Sequence, residues 1–228
     1  MIKSFWQYQL EALAPVCVGE RQKKGTWRPC VLTIPYSAIS GALREALGID
    51  RDLDDEGKYP TTKFLHAAGF WTTPNVERYI HRFTFAPRER ELDTARLPIT
   101  VEYLDKGIQG AVFILINDHT AHLGDKIPVQ VSLGAFKSKG FGHCALTARK
   151  RIDVDLEKDR VAGALKTRIP VDCLEYFGIP KQPAGWLRYG YLLEAISPTD
   201  GVFKPAWFEP SRVTAPAFLV TKGDANAN

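Results

Sequence analysis

The residues best suited to chemistry stand in one stretch, Leu133-Gly-Ala-Phe-Lys-Ser-Lys-Gly-Phe-Gly-His-Cys-Ala-Leu146. Gly134, Gly140 and Gly142 let the backbone take positive φ and let a large ligand approach closely. Consecutive main-chain N–H groups in such a turn make a concavity that binds anions. Lys137, Ser138 and Lys139 add two cations and a hydroxyl, which suits a phosphate chain. Phe136 and Phe141 offer faces on which bases stack, and His143 adjoins the loop. A surface turn with solvated lysines accounts for the same composition, since glycine-rich loops are common.

A second basic run contains Arg21, Lys23, Lys24 and Arg28, with Trp27 inside it. An indole between cations is either a base-stacking platform or an anchor that pins a loop to the body. Arg149, Lys150 and Arg151 follow the glycine loop, while the acidic residues concentrate in 50–56 and 153–159. That segregation fits one face meeting a polyanion, or two unrelated solvated loops. The net charge of +4 is too small to decide between them.

Cys17, Cys30, Cys144 and Cys173 show no C-x-x-C spacing, which argues against a zinc ribbon and against a disulfide framework. His119-x-x-His122 and His143-Cys144 do not complete a metal site, so no metal and no cofactor is expected. At 228 residues the chain buries a full core as one large domain or two small ones. No apolar run approaches the ~20 residues that span a bilayer. The start, Met1-Ile-Lys-Ser-Phe-Trp, lacks the layout of a signal peptide, so a cytoplasmic protein without membrane contact is expected.

These residues need elements to position them. Alternation over 4–13 predicts a first strand. Pro35 suits a helix's first turn, Ala38, Ile39, Ala42, Leu43, Ala46 and Leu47 recur at helical spacing, and Gly48 closes the helix. Ser40 and Arg44 share little of that apolar face, so Arg44 is free either to meet phosphate or to pair with an acid such as Glu45. Residues 49–75 are polar and read as an insertion, with a short helix over 62–68 that carries His66. Strands are expected over 78–85, 97–104 and 110–116. Val129, Val131 and Leu133 fit a short helix or a strand, and the helix is taken. A strand returns over 144–154. The order is that of an α+β, ferredoxin-like (RRM-like) βαββαβ domain over 1–154, followed by a β-rich extension over 155–222 and a frayed tail at 223–228.

The glycine loop resembles that of the RAMP superfamily, the RNA-binding proteins of CRISPR effector complexes. Ile34-Pro-Tyr-Ser-Ala-Ile-Ser-Gly-Ala-Leu-Arg44 resembles the segment that opens the first helix in that family. The resemblance covers residues 1 to about 152 and favours the helix near 128–133. It implies a chain that binds guide RNA (crRNA), beside other effector subunits of a type III-like complex, and meets target nucleic acid indirectly. The RNA-binding residues it suggests with the composition are Lys23, Lys24, Trp27, Arg28, Ser40, Arg44, Gly134, Lys137, Ser138, Lys139, Gly140, Phe141, Gly142 and His143. Family members that cut target RNA carry an aspartate between the first strand and first helix. Residues 16–33 hold Glu20 as their only acid, which favours a non-catalytic subunit, either handle cap or filament segment. The alternative is a metal-independent ribonuclease that processes guide precursor, with His143 or His66 as its acid or base.

Overall fold

The computed structural model describes residues 1–19, 26–48, 65–86, 88–89, 94–95, 97–118, 120–125, 128–195 and 201–221. Lys23, Lys24, His119, residues 49–64 and the tail at 223–228 lie outside them. The first part of the chain forms β1 (Ile2–Ala12), β2 (Trp27–Arg28), α1 (Tyr36–Leu47), β3 (Ala67–Trp71) and β4 (Ile80–Phe85). Two short pieces, β5 (Arg88–Glu89) and β6 (Thr94–Ala95), precede β7 (Ile99–Leu104), β8 (Gln109–Leu115), β9 (Val129–Ser132) and β10 (His143–Asp155). The rest is β11 (Arg160–Leu165), β12 (Ile169–Pro170), β13 (Arg188–Ala195), β14 (Gly201–Phe208), β15 (Arg212–Pro216) and β16 (Val220–Thr221).

The architecture is mixed α+β and rich in strands. Its centre is a five-stranded sheet in the order β3-β8-β1-β10-β9, with antiparallel neighbours throughout. β1 and β3 therefore run parallel with β8 between them, and α1 is the crossover that joins them. The helix begins at Tyr36, directly after the extended Pro35, and ends at Gly48 in the left-handed conformation, φ 63°. Ile39 and Leu43 of α1 are fully buried with Tyr8, Leu10, Val112, Ile114, Cys144 and Leu146 of the sheet. Each such side chain contributes roughly 1.5–3 kcal/mol of burial.

Three expectations are corrected. The residues read as a second helix form β9 instead: Val129 and Val131 are buried, Gln130 is exposed, and they pair with Leu146, Cys144 and Ala145. A two-residue period was the right one. The helix over 62–68 is not seen at Ala67 and Ala68, which open β3, and the span 49–75 therefore contains a strand of the central sheet. Small residues allow it: a Cβ on Gly110 would lie 2.8 Å from the Phe70 carbonyl oxygen of β3. The segments at 80–85 and 99–104, conversely, leave the central sheet and form a small one, β2-β7-β4.

Residues after β10 form two three-stranded sheets, β15-β11-β16 and β12-β14-β13. Leu174, Phe177, Trp207 and Leu219 bury there against Phe5 and Leu115 from the central sheet. A bulge in β10 makes this two-sided packing possible. Ala148 and Arg149 both stand opposite Tyr8, and Ala148 takes φ 49°. Cys144 and Leu146 thus join the core on the α1 side, while Val154, also even-numbered, joins the core of the carboxy-terminal unit.

Candidate nucleic-acid interface

The glycine loop links β9 to β10 at the end of the central sheet. Gly134, Gly140 and Gly142 all take positive φ, at 78°, 81° and 84°. Two of them are glycine for contact with backbone. A Cβ on Gly134 would stand 2.1 Å from the Cys17 oxygen, and one on Gly142 would stand 2.2 Å from the Leu133 oxygen. Around Gly140 nothing lies within 4 Å. The loop's amides are largely engaged. Ala135 N donates to Cys17 O, Lys139 N to Phe136 O, Gly140 N to Lys137 O and Gly142 N to Pro15 O. Two of these bonds close the loop on itself and two tie it to the chain at Pro15 and Cys17.

Ser138 and Lys139 are exposed at the tip, and His143 is exposed at the start of β10. Lys137 forms an ion pair with Glu45 on α1, with both groups partly in solvent. Cys144 and Leu146 point into the core and His143 away from it, as the alternation of this strand requires. Farther along β10, Lys150 and Arg151 are exposed, and the Arg149 guanidinium sits 4.6 Å from the Trp6 ring centroid.

The remaining candidates separate. Ser40 is 1% exposed, and its hydroxyl bonds the backbone of Ala67, joining α1 to β3. Arg44 is 5% exposed and pairs with the buried Glu194 at 3.6 Å. Both are engaged inside the molecule rather than presented to solvent. His66 is also buried. Its Nδ1 lies 2.8 Å from the Tyr36 hydroxyl and its ring stacks on Tyr176 at 3.6 Å, so it is a packed histidine rather than an acid or base within reach of RNA. Trp27 is 45% exposed on β2. Its parallel register puts it beside Thr100, on the opposite face of the small sheet from Val101, whereas Arg28 is level with Val101.

One group was not foreseen. Phe83, Phe85 and Tyr103 of the small sheet meet Phe136 and Phe141 of the glycine loop. Each of the five is only half-buried. Alternation along 79–85 was visible in the sequence, but nothing local tied those rings to the loop.

The four cysteines are buried and free, and burial pushes the thiols up, to about 11 for Cys17 and about 12 for Cys30, Cys144 and Cys173. They are inert core residues at neutral pH. Among the described residues no three His, Cys, Asp or Glu side chains gather as metal donors. No helix among them is long and apolar enough to cross a membrane.

No family model matches the chain, and no curated protein is similar to it. Solved structures are. A chain in the type III-B Cmr-beta bound to cognate target RNA and AMPPnP matches with a TM-score of 0.58 and 14% identity, over 91% of this chain and 86% of that one. The fold is shared with a type III-B Cmr-beta subunit. Cmr-beta bound to cognate target RNA alone gives the same TM-score and coverage at 12% identity. A match over 91% of the chain takes in the carboxy-terminal sheets as well as the central one. The likeness to Cmr-beta thus runs past residue 152, where the resemblance read in the sequence stops.

Proposed function

We propose that this chain is a non-catalytic guide-RNA-binding subunit of a type III-like CRISPR effector, serving as handle cap or filament segment. The observation that carries the reading is the glycine loop. It is pinned to the backbone at Cys17, Pro15 and Leu133, and it presents Ser138, Lys139 and His143 to solvent beside half-exposed rings. A rigid tip with cations and aromatic faces is suited to a single strand, which needs charge for its phosphates and flat surfaces for its bases. The fold it shares with a Cmr-beta chain supports the same setting. The interface comprises Lys137, Ser138, Lys139, Gly140, Phe141 and His143, with Trp27 and Arg28 at its margin and Ser40 and Arg44 left out. Its partners are guide RNA and neighbouring effector subunits, with residues 1–154 as the RNA-facing unit and 155–222 packed against it.

The test is incubation of the purified chain with repeat RNA in EDTA, followed by a gel for both retention and cleavage. Retention of intact RNA is expected. Specific cleavage that is lost in His143→Ala would reassign the chain to metal-independent guide processing. Failure to retain RNA at low salt would remove the RNA reading altogether.

A further inference from the structure

We propose that Phe83, Phe85, Tyr103, Phe136 and Phe141 form a stacking surface for unpaired nucleobases. This rests on the RNA-binding reading and specifies what the site takes: single-stranded segments whose bases are free to splay out, held without sequence readout. The five rings come from three places in the chain, β4, β7 and the glycine loop. The loop rings meet the sheet rings edge-on or tilted: Phe83 to Phe136 at 5.6 Å and 75°, Phe85 to Phe136 at 6.0 Å and 89°, Tyr103 to Phe141 at 5.4 Å and 80°. Phe83 and Phe85 stack on each other at 5.7 Å and 24°. His81 extends the row, stacked on Tyr103 at 5.8 Å, and its imidazole faces Asp105 at 3.6 Å.

A satellite hydrophobic cluster is the plainer account of such a group, and exposure argues against it. None of the five rings is among the buried residues, although Val101 on the same strand face is 1% exposed. Backbone conformation is the second observation. Phe136 holds φ 62°, where a bulky side chain is strained and glycine is not. The strained residue places its ring against Phe83 and Phe85 and so ties the loop tip to the small sheet. Charge is the third. Phe136 and Phe141 bracket Lys137, Ser138 and Lys139, so cations for the phosphates stand within a few residues of the rings.

Another exposed apolar group among the described residues lacks this combination. Tyr189, Tyr191 and Leu193 of β13 are 66%, 69% and 48% exposed, and they line up with Phe203 at 42% on β14. The lysine of that hairpin, Lys204, is held by Asp172 at 2.7 Å and Glu194 at 3.1 Å. Arg188 of the same strand is exposed, but alternation turns it to the opposite face from Tyr189, Tyr191 and Leu193, whereas Lys137 and Lys139 stand between Phe136 and Phe141.

The experiment compares the full chain's affinity for an oligouridine strand and for an abasic sugar–phosphate strand of equal length. The phosphates are common to both, so the difference reports the bases. Oligouridine is expected to bind roughly ten-fold more tightly, the effect of about one stacked base. Phe83→Leu combined with Tyr103→Leu keeps apolar volume, removes two π faces, and is expected to abolish that difference at unchanged abasic affinity. Fluorescence of a 2-aminopurine strand, which needs no variant, should be quenched on binding to the unaltered protein. Equal affinity for the two strands, or binding without quenching, overturns the stacking site and leaves RNA binding intact. A difference that survives in the double variant overturns the assignment to these rings, and no binding of either strand overturns the underlying reading as well.

Discussion

A Cβ on Gly142 would stand 2.2 Å from the carbonyl oxygen of Leu133, while one on Gly140 would meet nothing within 4 Å. Two glycines of the same loop, each at positive φ, are therefore glycine for different reasons. Gly142→Ala forces the β9 and β10 ends apart and should cost about 3 kcal/mol or more. For a chain of this size that is on the order of 6–12 °C in Tm. Gly140→Ala meets only the local penalty of a left-handed residue, about 1–2 kcal/mol. Thermal melts of the two variants decide it, and equal losses would show that the close approach at 142 is not what demands glycine. RNA affinity is informative at Gly140, where the fold tolerates the change.

Lys137 and Lys139 flank one serine, yet among the described residues only Lys137 is tied to an acid, Glu45 of α1. Exposed pairs of this kind hold weakly and exchange readily. Glu45→Gln should therefore release Lys137 to a phosphate and raise affinity for single-stranded RNA about two- to five-fold. Lys139→Ala should lower affinity for all sequences alike and make the log–log salt slope shallower by about 0.7 for each phosphate left without its cation. Titrations at several salt concentrations measure both. A weaker complex in Glu45→Gln would show that the pair holds the loop in its binding shape.

How far the sequence could be read follows from the range of the signals. The helix over Tyr36–Leu47, its proline start and its glycine stop are local patterns, and all were legible. So was the outward aim of His143, which follows from strand alternation. β3 was hidden because Ala-Ala-Gly-Phe-Trp lacks the β-branched residues that mark a strand and owes its place to close approach to Gly110. The bulge at Ala148 was hidden too, because even-numbered apolar residues before and after it suggest one face where there are two. Ser40 and Arg44 looked free because their partners, Ala67 and Glu194, lie far along the chain. The ring cluster has the same cause: Phe83 and Phe141 meet only after two sheets have formed.

Arg44 offers a clean separation of structural from binding roles. Its guanidinium joins α1 to Glu194 on β13, with both side chains under a tenth exposed. Glu194 keeps Lys204 at 3.1 Å, so removing Arg44 costs the lost charge-assisted contact, about 1.5–3 kcal/mol, rather than a stranded charge. Arg44→Ala should thus lower Tm by roughly 3–12 °C while the folded fraction binds RNA with unchanged affinity and salt slope. A folded, stable variant that binds RNA less well would restore Arg44 to the phosphate contacts.

The same network sets a pH dependence through Lys204, which bridges Asp172 and Glu194. Burial acts to lower the ammonium's pKa. The hydrogen bond to Asp172 and the charge of Glu194 outweigh it, so the folded-state value is raised above that of an ordinary lysine. A group with a raised folded pKa holds its proton more tightly in the native state. Its contribution to stability is full below the unfolded value of about 10.4 and is lost as pH rises through the folded one. Lys204→Met removes that contribution. Wild type should therefore exceed the variant in denaturant midpoint by a constant margin from pH 8 to about 10, and the margin should narrow at higher pH. Paired urea titrations at about pH 8, 10 and 11 give the comparison. A margin that stays flat or widens above about pH 10 would assign the lysine's role to packing of its alkyl chain rather than to its charge.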